Sequence, residues 1–139
     1  MNTMIKLPLL LALIFSPLSQ AELVVIANPS AGVDSLDQSA VKQLFLGKTR
    51  KLAGQKVKLL DQVSGSADRE QFYAQVTGKS SAQLKSYWSR LIFTGKGKPP
   101  EVVGDGAAVK GRVATSASAV GYVDAAQVDG SVKVLFRLP

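Results

Sequence analysis

The sequence contains neither cysteine nor histidine. Without these residue types, a disulfide framework, a lipid-modified cysteine, the common zinc sites, a thiol redox centre and a Ser-His or Cys-His nucleophile pair are all excluded. Aromatic residues make up only 6% of the chain and show no interleaved pattern suited to stacking on nucleic-acid bases. The fold must therefore be stabilised by packing alone, and the sequence predicts no metal site and no cofactor.

Acidic residues are fewer than basic ones, 10 against 17, which gives a formal net charge of +7. This excess favours anionic partners in general, such as phosphate-like solutes, acidic glycans, lipid head groups or nucleic acid. Nucleic acid is disfavoured because the basic residues are scattered along the chain. The few acids also show no spacing that brings two of them onto one helical or strand face, as general acid–base chemistry requires. The sequence therefore does not predict an enzyme.

The first 21 residues have the pattern of a secretory signal peptide. Lys6 provides a short positive region, residues 7–18 are apolar apart from one serine, and Ser19-Gln20-Ala21 has the small-x-small form of a cleavage site. The apolar stretch is shorter than the run of about 20 residues that a membrane span needs. We therefore expect cleavage after Ala21 and a mature periplasmic protein of residues 22–139, forming one domain with no membrane anchor.

Segments typical of strands and of helices alternate along residues 22–139. The predicted strands are the apolar runs Leu23–Ala27, Val57–Leu60, Glu101–Val103, Ala119–Val123 and Val132–Phe136. The predicted helices lie between them, with Ser35 and Gln38 in capping-box spacing at the first start and Gly47 at its end. This alternation predicts an α/β fold, a sheet with helices on both faces.

The segment Ser64-Gly65-Ser66 joins a predicted strand to a predicted helix. A serine-rich turn at the start of a helix presents free backbone N–H groups, hydroxyl donors and the positive end of a helix dipole, which together suit an anion. Ser66 followed by Asp68 is also an ordinary helix cap, and most such caps bind no ligand. An anion site and a simple cap are therefore both open at this point.

Two loops concentrate basic residues. Lys48–Lys56 carries four of them, and a solvated surface and a binding patch are both compatible with this composition. Gly95–Pro100 is rich in glycine and lysine, but no Gly-Lys-Ser/Thr follows at the spacing of a P-loop, so a nucleotide site is not predicted there. Tyr87, Trp88 and Tyr122 lie on apolar patterns and are predicted to belong to the core.

Several short motifs occur in an order known from another group of proteins. They are Asn28-Pro29, the helix end Leu44-Phe45-Leu46-Gly47-Lys48, the turn Ser64-Gly65-Ser66 with Arg69 and Phe72 after it, Tyr87-Trp88, Phe93-Thr94-Gly95 and Ala119–Val123. This order resembles the second lobe of the phosphate-type substrate-binding proteins of ABC importers, and also their short, single-lobe relatives with a PBP-like domain. The resemblance covers nearly all of residues 23–136. It implies one lobe of the type II periplasmic-binding-protein fold, with a mixed sheet of about five strands and helices on both faces.

The resemblance also implies an anion site. In that family the second lobe contributes an Arg, an Asp and a Ser-Gly-Thr turn to phosphate binding. Ser64, Gly65 and Ser66 match the turn, whereas Leu60 and Gln62 stand at the Arg and Asp positions, and each lost charge-assisted contact costs about 1.5–3 kcal/mol. Arg69 is a candidate replacement for the missing cation, although an arginine there also pairs readily with a neighbouring acid.

Three functions follow as hypotheses. The first is a solute-binding protein for phosphate or a similar oxyanion, binding weakly as a monomer, with an ABC permease, another exported protein or a second copy as partner. The second is a periplasmic accessory module that keeps the lobe as a scaffold and uses one of the basic loops to contact a partner. The third is an enzyme, which would require a carboxylate with a raised pKa in a cleft.

Overall fold

The structure is a computed structural model that describes Pro8 and residues 20–139. The predicted signal peptide lies almost entirely outside the described residues, so its cleavage stays a prediction. Within residues 20–139, no helix combines the length and the apolar character needed to traverse a membrane.

Strands and helices alternate through the described part of the chain, as the apolar patterns predict. In chain order the elements are β1 (Leu23–Ala27), α1 (Gln38–Phe45), β2 (Lys51–Leu52), β3 (Gln55–Lys56), β4 (Lys58–Gln62), α2 (Ala67–Thr77), α3 (Ser81–Phe93), β5 (Glu101–Gly104), α4 (Gly106–Thr115), β6 (Ala119–Asp124) and β7 (Lys133–Arg137). A short 3-10 turn, Ala125–Gln127, follows β6 and has no counterpart among the predicted elements.

The main sheet has five strands in the order β5-β4-β6-β1-β7. Strand β4 runs parallel to β5 and β6, whereas β1 runs antiparallel to both β6 and β7. The carboxyl ends of β4, β5, β6 and β7 therefore meet at one edge of the sheet. The prediction of a mixed sheet of about five strands is confirmed.

Alternating residues of β1 pack on opposite faces of the sheet, as strand geometry requires. Leu23 and Val25 join the larger apolar cluster, to which α1, α2 and α3 contribute. Val24 and Ile26 join the smaller cluster beneath α4. Helices thus cover both faces, and because residues 20–139 contain the complete sheet and both clusters, we expect this segment to fold on its own.

An aromatic cluster fills the centre of the larger core. The rings of Phe72 and Tyr122 stack with centroids 3.9 Å apart, and Phe45 meets Phe72 edge to face at 4.8 Å. Tyr122 is fully buried and Trp88 is 6% exposed, as predicted for core residues. Tyr87 is partly buried and donates its hydroxyl to the carbonyl of Leu46.

The predicted start of α1 is wrong by two residues. Asp37, and not Ser35, caps the helix, because its side chain accepts from the N–H of Ala40 at 2.8 Å. The N–H of Leu36 instead donates to Leu135 O of β7. Leu36 therefore lies outside the helix, and the cap falls at Asp37, the next side-chain acceptor along the chain. Gly47 follows the helix with a φ of +72°, as predicted for its end.

The basic segment Lys48–Lys56 forms a small hairpin instead of an irregular loop. Strands β2 and β3 pair antiparallel, with Lys51 opposite Lys56. The turn between them places Ala53 at φ +49° and Gly54 at φ +77°. Positive φ at both central residues is the requirement of the tight two-residue turn that joins twisted strands.

Candidate anion site

The Ser64-Gly65-Ser66 turn lies just beyond the carboxyl end of β4. From β4 the chain passes through α2 and α3 to β5 on one side, and then returns through α4 to β6 on the other side of β4. Such a reversal of strand order leaves a crevice outside the strand ends, which is where open α/β sheets bind ligands. The turn predicted from the sequence therefore occupies the position in the sheet that favours a binding site.

The hydrogen-bonding groups of Ser66 are used within the turn and at the start of α2. Its hydroxyl accepts from the N–H of Arg69 at 3.3 Å and donates to Gln62 Oε1 at 3.1 Å. Its own N–H donates to Val63 O at 3.1 Å. Gly65 has a φ of +90°, a conformation that favours glycine. In contrast, the side chain of Ser64 belongs to an exposed residue and lines a pocket.

Leu60 and Gln62, which stand where the family has an arginine and an aspartate, are both buried. Leu60 is 1% exposed and packs in the cluster beneath α4. Gln62 is also 1% exposed, and its amide donates to the carbonyl of Tyr122 at 3.0 Å. Because Gln62 also accepts from Ser66, it links the turn to the neighbouring strand β6. Its role in this chain is to hold the turn in place.

Asp61 is a buried carboxylate beneath the turn. One of its oxygens, Oδ2, accepts from the Tyr73 hydroxyl at 2.9 Å. The other, Oδ1, accepts from the N–H of Gln62 at 2.8 Å and from the Tyr122 hydroxyl. The Nε of Arg69 lies 3.4 Å from Oδ2, which is long for a charge-assisted hydrogen bond. The tyrosine hydroxyls are therefore the closer partners of this carboxylate, and Arg69 balances its charge.

Arg69 is held in place by two contacts inside the protein. Its guanidinium carbon lies 5.1 Å from the ring centroid of Tyr73, within the range of a cation–π contact, and its Nε faces Asp61. The Arg69 side chain is 15% exposed. Of the alternatives open in the sequence, the structure shows the pairing of Arg69 with a neighbouring acid, while the residue still contributes to the wall of a pocket.

A pocket of about 350 Å³ brings two of the four predicted site residues together. Ser64 and Arg69 both line it, whereas Gly65 and Ser66 lie in the adjoining turn. Sequence reasoning missed the other polar residues of its wall, which are Asp61, Ser81 and Lys85. Asp61 had a usable signal, since it is an acid at the end of a buried apolar strand. Ser81 and Lys85 had none, because they resemble any exposed helical positions.

The Asp61 cluster affects tyrosine ionisation. Burial, followed by the negative charge of Asp61, raises the pKa of Tyr73 and of Tyr122, and partial burial raises the pKa of Tyr87. The unfolded chain ionises its tyrosines near the ordinary pKa of about 10. Above that pH the unfolded state loses protons that the folded state keeps, so stability is fully present below about pH 10 and falls as the pH rises further.

We therefore expect Tyr73 and Tyr122 to stay protonated until the protein unfolds in alkali. Tyrosinate absorbance should rise for these two residues together with the loss of circular dichroism. Tyr87→Phe, which removes the most exposed of the three tyrosines, should abolish any absorbance change that precedes unfolding. Ionisation of two tyrosines in the folded protein would contradict the buried geometry around Asp61.

A carboxylate with a raised pKa is present, but it lies outside the pocket. Burial, followed by the charge of Asp124, raises the pKa of Asp68 in the first turn of α2. Asp68 does not line the pocket that Ser64 and Arg69 share. Its pKa therefore reflects crowding between the start of α2 and the end of β6, and the requirement for a carboxylate in a cleft is not met at this position.

The sequence matches no protein-family model and no curated protein. Solved structures nevertheless share the fold. An ABC-type phosphate transport receptor from Vibrio cholerae is 20% identical, with a TM-score of 0.66. PstS from Borrelia burgdorferi is 12% identical, with a TM-score of 0.64. The chain has the fold of one lobe of phosphate-type substrate-binding proteins.

The match covers most of this chain but less than half of each solved structure. Both matches cover 83% of this chain but only 45% and 46% of the Vibrio and Borrelia chains. A structure from Clostridium perfringens, assigned as a phosphate ABC transporter substrate-binding protein with bound phosphate, has 18% identity and a TM-score of 0.67 and is covered over 44% of its length. This chain therefore spans less than half the length of the proteins whose fold it shares, and the resemblance is confirmed at the level of the fold.

Proposed function

We propose that this chain is an exported solute-binding protein that holds phosphate or a similar oxyanion at the Ser64-Gly65-Ser66 turn. The observation that carries the proposal is the convergence of this turn, the start of α2 and Arg69 at the carboxyl end of β4. The shared fold of phosphate-transport binding proteins supports the same ligand class. On this proposal the chain acts in the periplasm and delivers its solute to an ABC permease.

Each residue of the proposed site has a separate role. The Ser64 hydroxyl and the N–H of Gly65 donate to the anion. The N–H groups of Ala67 and Asp68 open α2, where the first N–H groups of a helix have no acceptor within it, and they add two further donors. Ser66 shapes the turn through its capping bonds, and Arg69 supplies positive charge from the wall of the pocket.

Binding by a single copy is expected to be weak. Asp61 offsets the charge of Arg69, and the only other cation on the pocket wall is Lys85, which forms no ion pair within residues 20–139. One lobe also provides half of a cleft, so the bound anion keeps much of its hydration. A second copy or another exported protein would supply the missing wall and raise the affinity.

Thermal unfolding of residues 20–139 tests this proposal. With a millimolar Kd, about 10 mM phosphate stabilises the folded state by about 1.4 kcal/mol. For a domain of this size that corresponds to a rise in Tm of about 5 °C. Chloride at matched ionic strength should produce no comparable rise.

Variants locate the effect. Ser64→Ala should abolish the phosphate-dependent rise, and Arg69→Gln, which keeps a donor for Asp61 but removes the charge, should reduce it. Ser35→Ala alters an exposed serine that does not line the pocket and should keep the full rise. A rise that survives Ser64→Ala, or no rise at all, would count against an oxyanion site at this turn.

One observation favours the accessory-module function as a second candidate. Phe93 is 93% exposed and its neighbour Ile92 is 55% exposed, at the end of α3 beside the basic loop Gly95–Pro100. Contiguous exposed apolar patches mark surfaces that contact partners, and these two neighbouring side chains would form the start of such a patch. If phosphate does not change Tm, the next experiment is the double variant Ile92→Ser with Phe93→Ser. It would be tested for loss of binding to a partner protein.

A further inference from the structure

The two basic segments Lys48–Lys56 and Gly95–Pro100, called loops here, are far apart in the sequence but lie side by side in the structure. Arg50 comes from the first loop and Lys98 from the second, and both line one pocket of about 510 Å³. A Cβ placed on Gly97 would lie 3.3 Å from Nη2 of Arg50, which shows how closely the loops approach. We propose that this pocket is a second binding site, which takes an organic anion with one acidic group and an apolar body.

The floor of this pocket is apolar. Its apolar residues come from α1, the junction between β3 and β4, β4, α3 and the second loop, and they are Leu44, Val57, Leu59, Trp88, Pro99 and Pro100. The edge of the Trp88 ring lies beside Gly47, whose added Cβ would be 2.9 Å from Cη2 of that ring. Glycine at this position therefore lets the indole form the floor. Ligand pockets of several hundred Å³ with an apolar lining and few polar groups are typical of small-molecule sites.

Positive charge is concentrated at the rim. Lys58 also lines the pocket, but its ammonium pairs with Glu101 at 3.0 Å. Glu101 also pairs with Arg112 at 3.4 Å, so its single negative charge is already shared between two cations. Arg50 and Lys98 form no ion pair within residues 20–139. Two uncompensated cations above an apolar floor fit a molecule that is anionic at one end and apolar at the other.

The apolar floor separates this ligand class from inorganic phosphate. A phosphate ion has no apolar surface to bury against Trp88, whereas each CH₂ group of an organic acid gains free energy on transfer from water to an apolar site. The proposal does not depend on phosphate binding at Ser64. The two pockets share Trp88, Pro99 and Pro100 in their walls, so the experiment must show which of them is occupied.

Trp88 is the only tryptophan of the chain, so its fluorescence reports directly on the floor of the pocket. We would titrate residues 20–139 with phenylbutyrate and with its neutral counterpart, phenylbutyramide. The acid is expected to bind about tenfold more tightly than the amide, because a hydrogen bond to a charged group is lost with the carboxylate. Equal affinity for the acid and the amide, or no response to either, would overturn the proposal.

A pair of matched double variants localises the charge effect. Arg50→Gln with Lys98→Gln should weaken phenylbutyrate binding about tenfold, towards the affinity of the amide. Lys48→Gln with Lys96→Gln removes the same charge from the same two loops without altering the pocket wall, and should change the affinity less than about twofold. Equal losses in the two double variants would show only a diffuse attraction by the basic surface and would contradict a defined site.

Ser64→Ala separates this site from the phosphate site. This variant should bind phenylbutyrate like the unaltered chain, because Ser64 does not line the larger pocket. Loss of phenylbutyrate binding in Ser64→Ala would place the acid in the smaller pocket and overturn the inference. The phosphate proposal would still be tested independently by its own effect on Tm.

Discussion

Asp61→Ala is expected to lower the free energy of unfolding by about 3–5 kcal/mol, the usual cost of breaking a buried charge pair by removing one partner. The Asp61 side chain is 3% exposed and that of Arg69 is 15% exposed, so neither charge can turn to water without rearrangement. The substitution also leaves the hydroxyls of Tyr73 and Tyr122 without their acceptor. Urea unfolding of residues 20–139 measures the effect.

Two further variants show whether burial is the cause. Asp34→Ala removes a carboxylate that also pairs with a lysine, but Asp34 is 98% exposed in its side chain, so the midpoint should change little. Asp61→Asn keeps the shape and one acceptor and should be destabilised less than Asp61→Ala. A change in Asp61→Ala as small as that in Asp34→Ala would contradict the buried network beneath the Ser64 turn.

Gly47→Ala is expected to destabilise the protein by about 3 kcal/mol, since two costs combine. Alanine in the left-handed region costs about 1–2 kcal/mol, and the backbone at Gly47 has a φ of +72°. The added Cβ would also approach the Trp88 ring to 2.9 Å, and forcing extra volume into a packed site costs typically about 1–3 kcal/mol. Urea unfolding gives the total, and the emission of Trp88 reports the displacement of its ring.

Gly78→Ala is the matched control for the second cost. Gly78 has a φ of +71° and also follows a helix, but nothing lies within 4 Å of the position its Cβ would take. This variant should therefore lose only about 1–2 kcal/mol and leave the Trp88 emission unchanged. Equal losses at Gly47 and Gly78 would mean that the indole does not pack against Gly47 as described.

The fold was largely predictable because its signals are local. Each strand of the main sheet spans four to six residues around an apolar run, with polar or turn residues next to it. Helix α2 begins after Ser66 and ends before Gly78, as serine caps and left-handed glycines require. Helix α3 even has the full capping box between Ser80 and Gln83. Patterns within a few residues were sufficient for all of these elements.

The errors and omissions arose where contacts between distant residues decide the outcome. The cap of α1 moved from Ser35 to Asp37 because Leu36 bonds to β7, almost a hundred residues away in the chain. The partners of Asp61 come from α2 and β6, so its carboxylate could not be assigned to Tyr73 and Tyr122 from spacing alone. Side-chain networks of this kind depend on the packed fold, which local periodicity does not specify.

The role of the basic surface segments could not be predicted from local sequence either. The segments Lys48–Lys56 and Gly95–Pro100 have compositions typical of solvated loops, and neither contains a ligand motif. Only the close approach of the two segments in the folded chain places Arg50 and Lys98 on one pocket wall beside Trp88. A pair of unremarkable basic loops thus becomes a candidate site through tertiary structure, which explains why the sequence left their function open.

An amide NMR titration of residues 20–139 with phosphate tests most directly whether an oxyanion binds at the Ser64 turn. We predict progressive shifts of the Gly65, Ala67 and Asp68 amides that chloride at the same ionic strength does not reproduce, with the Gly54 amide in the basic hairpin unaffected. Shifts confined to the two basic loops, or identical shifts with chloride, would contradict an oxyanion site at this turn.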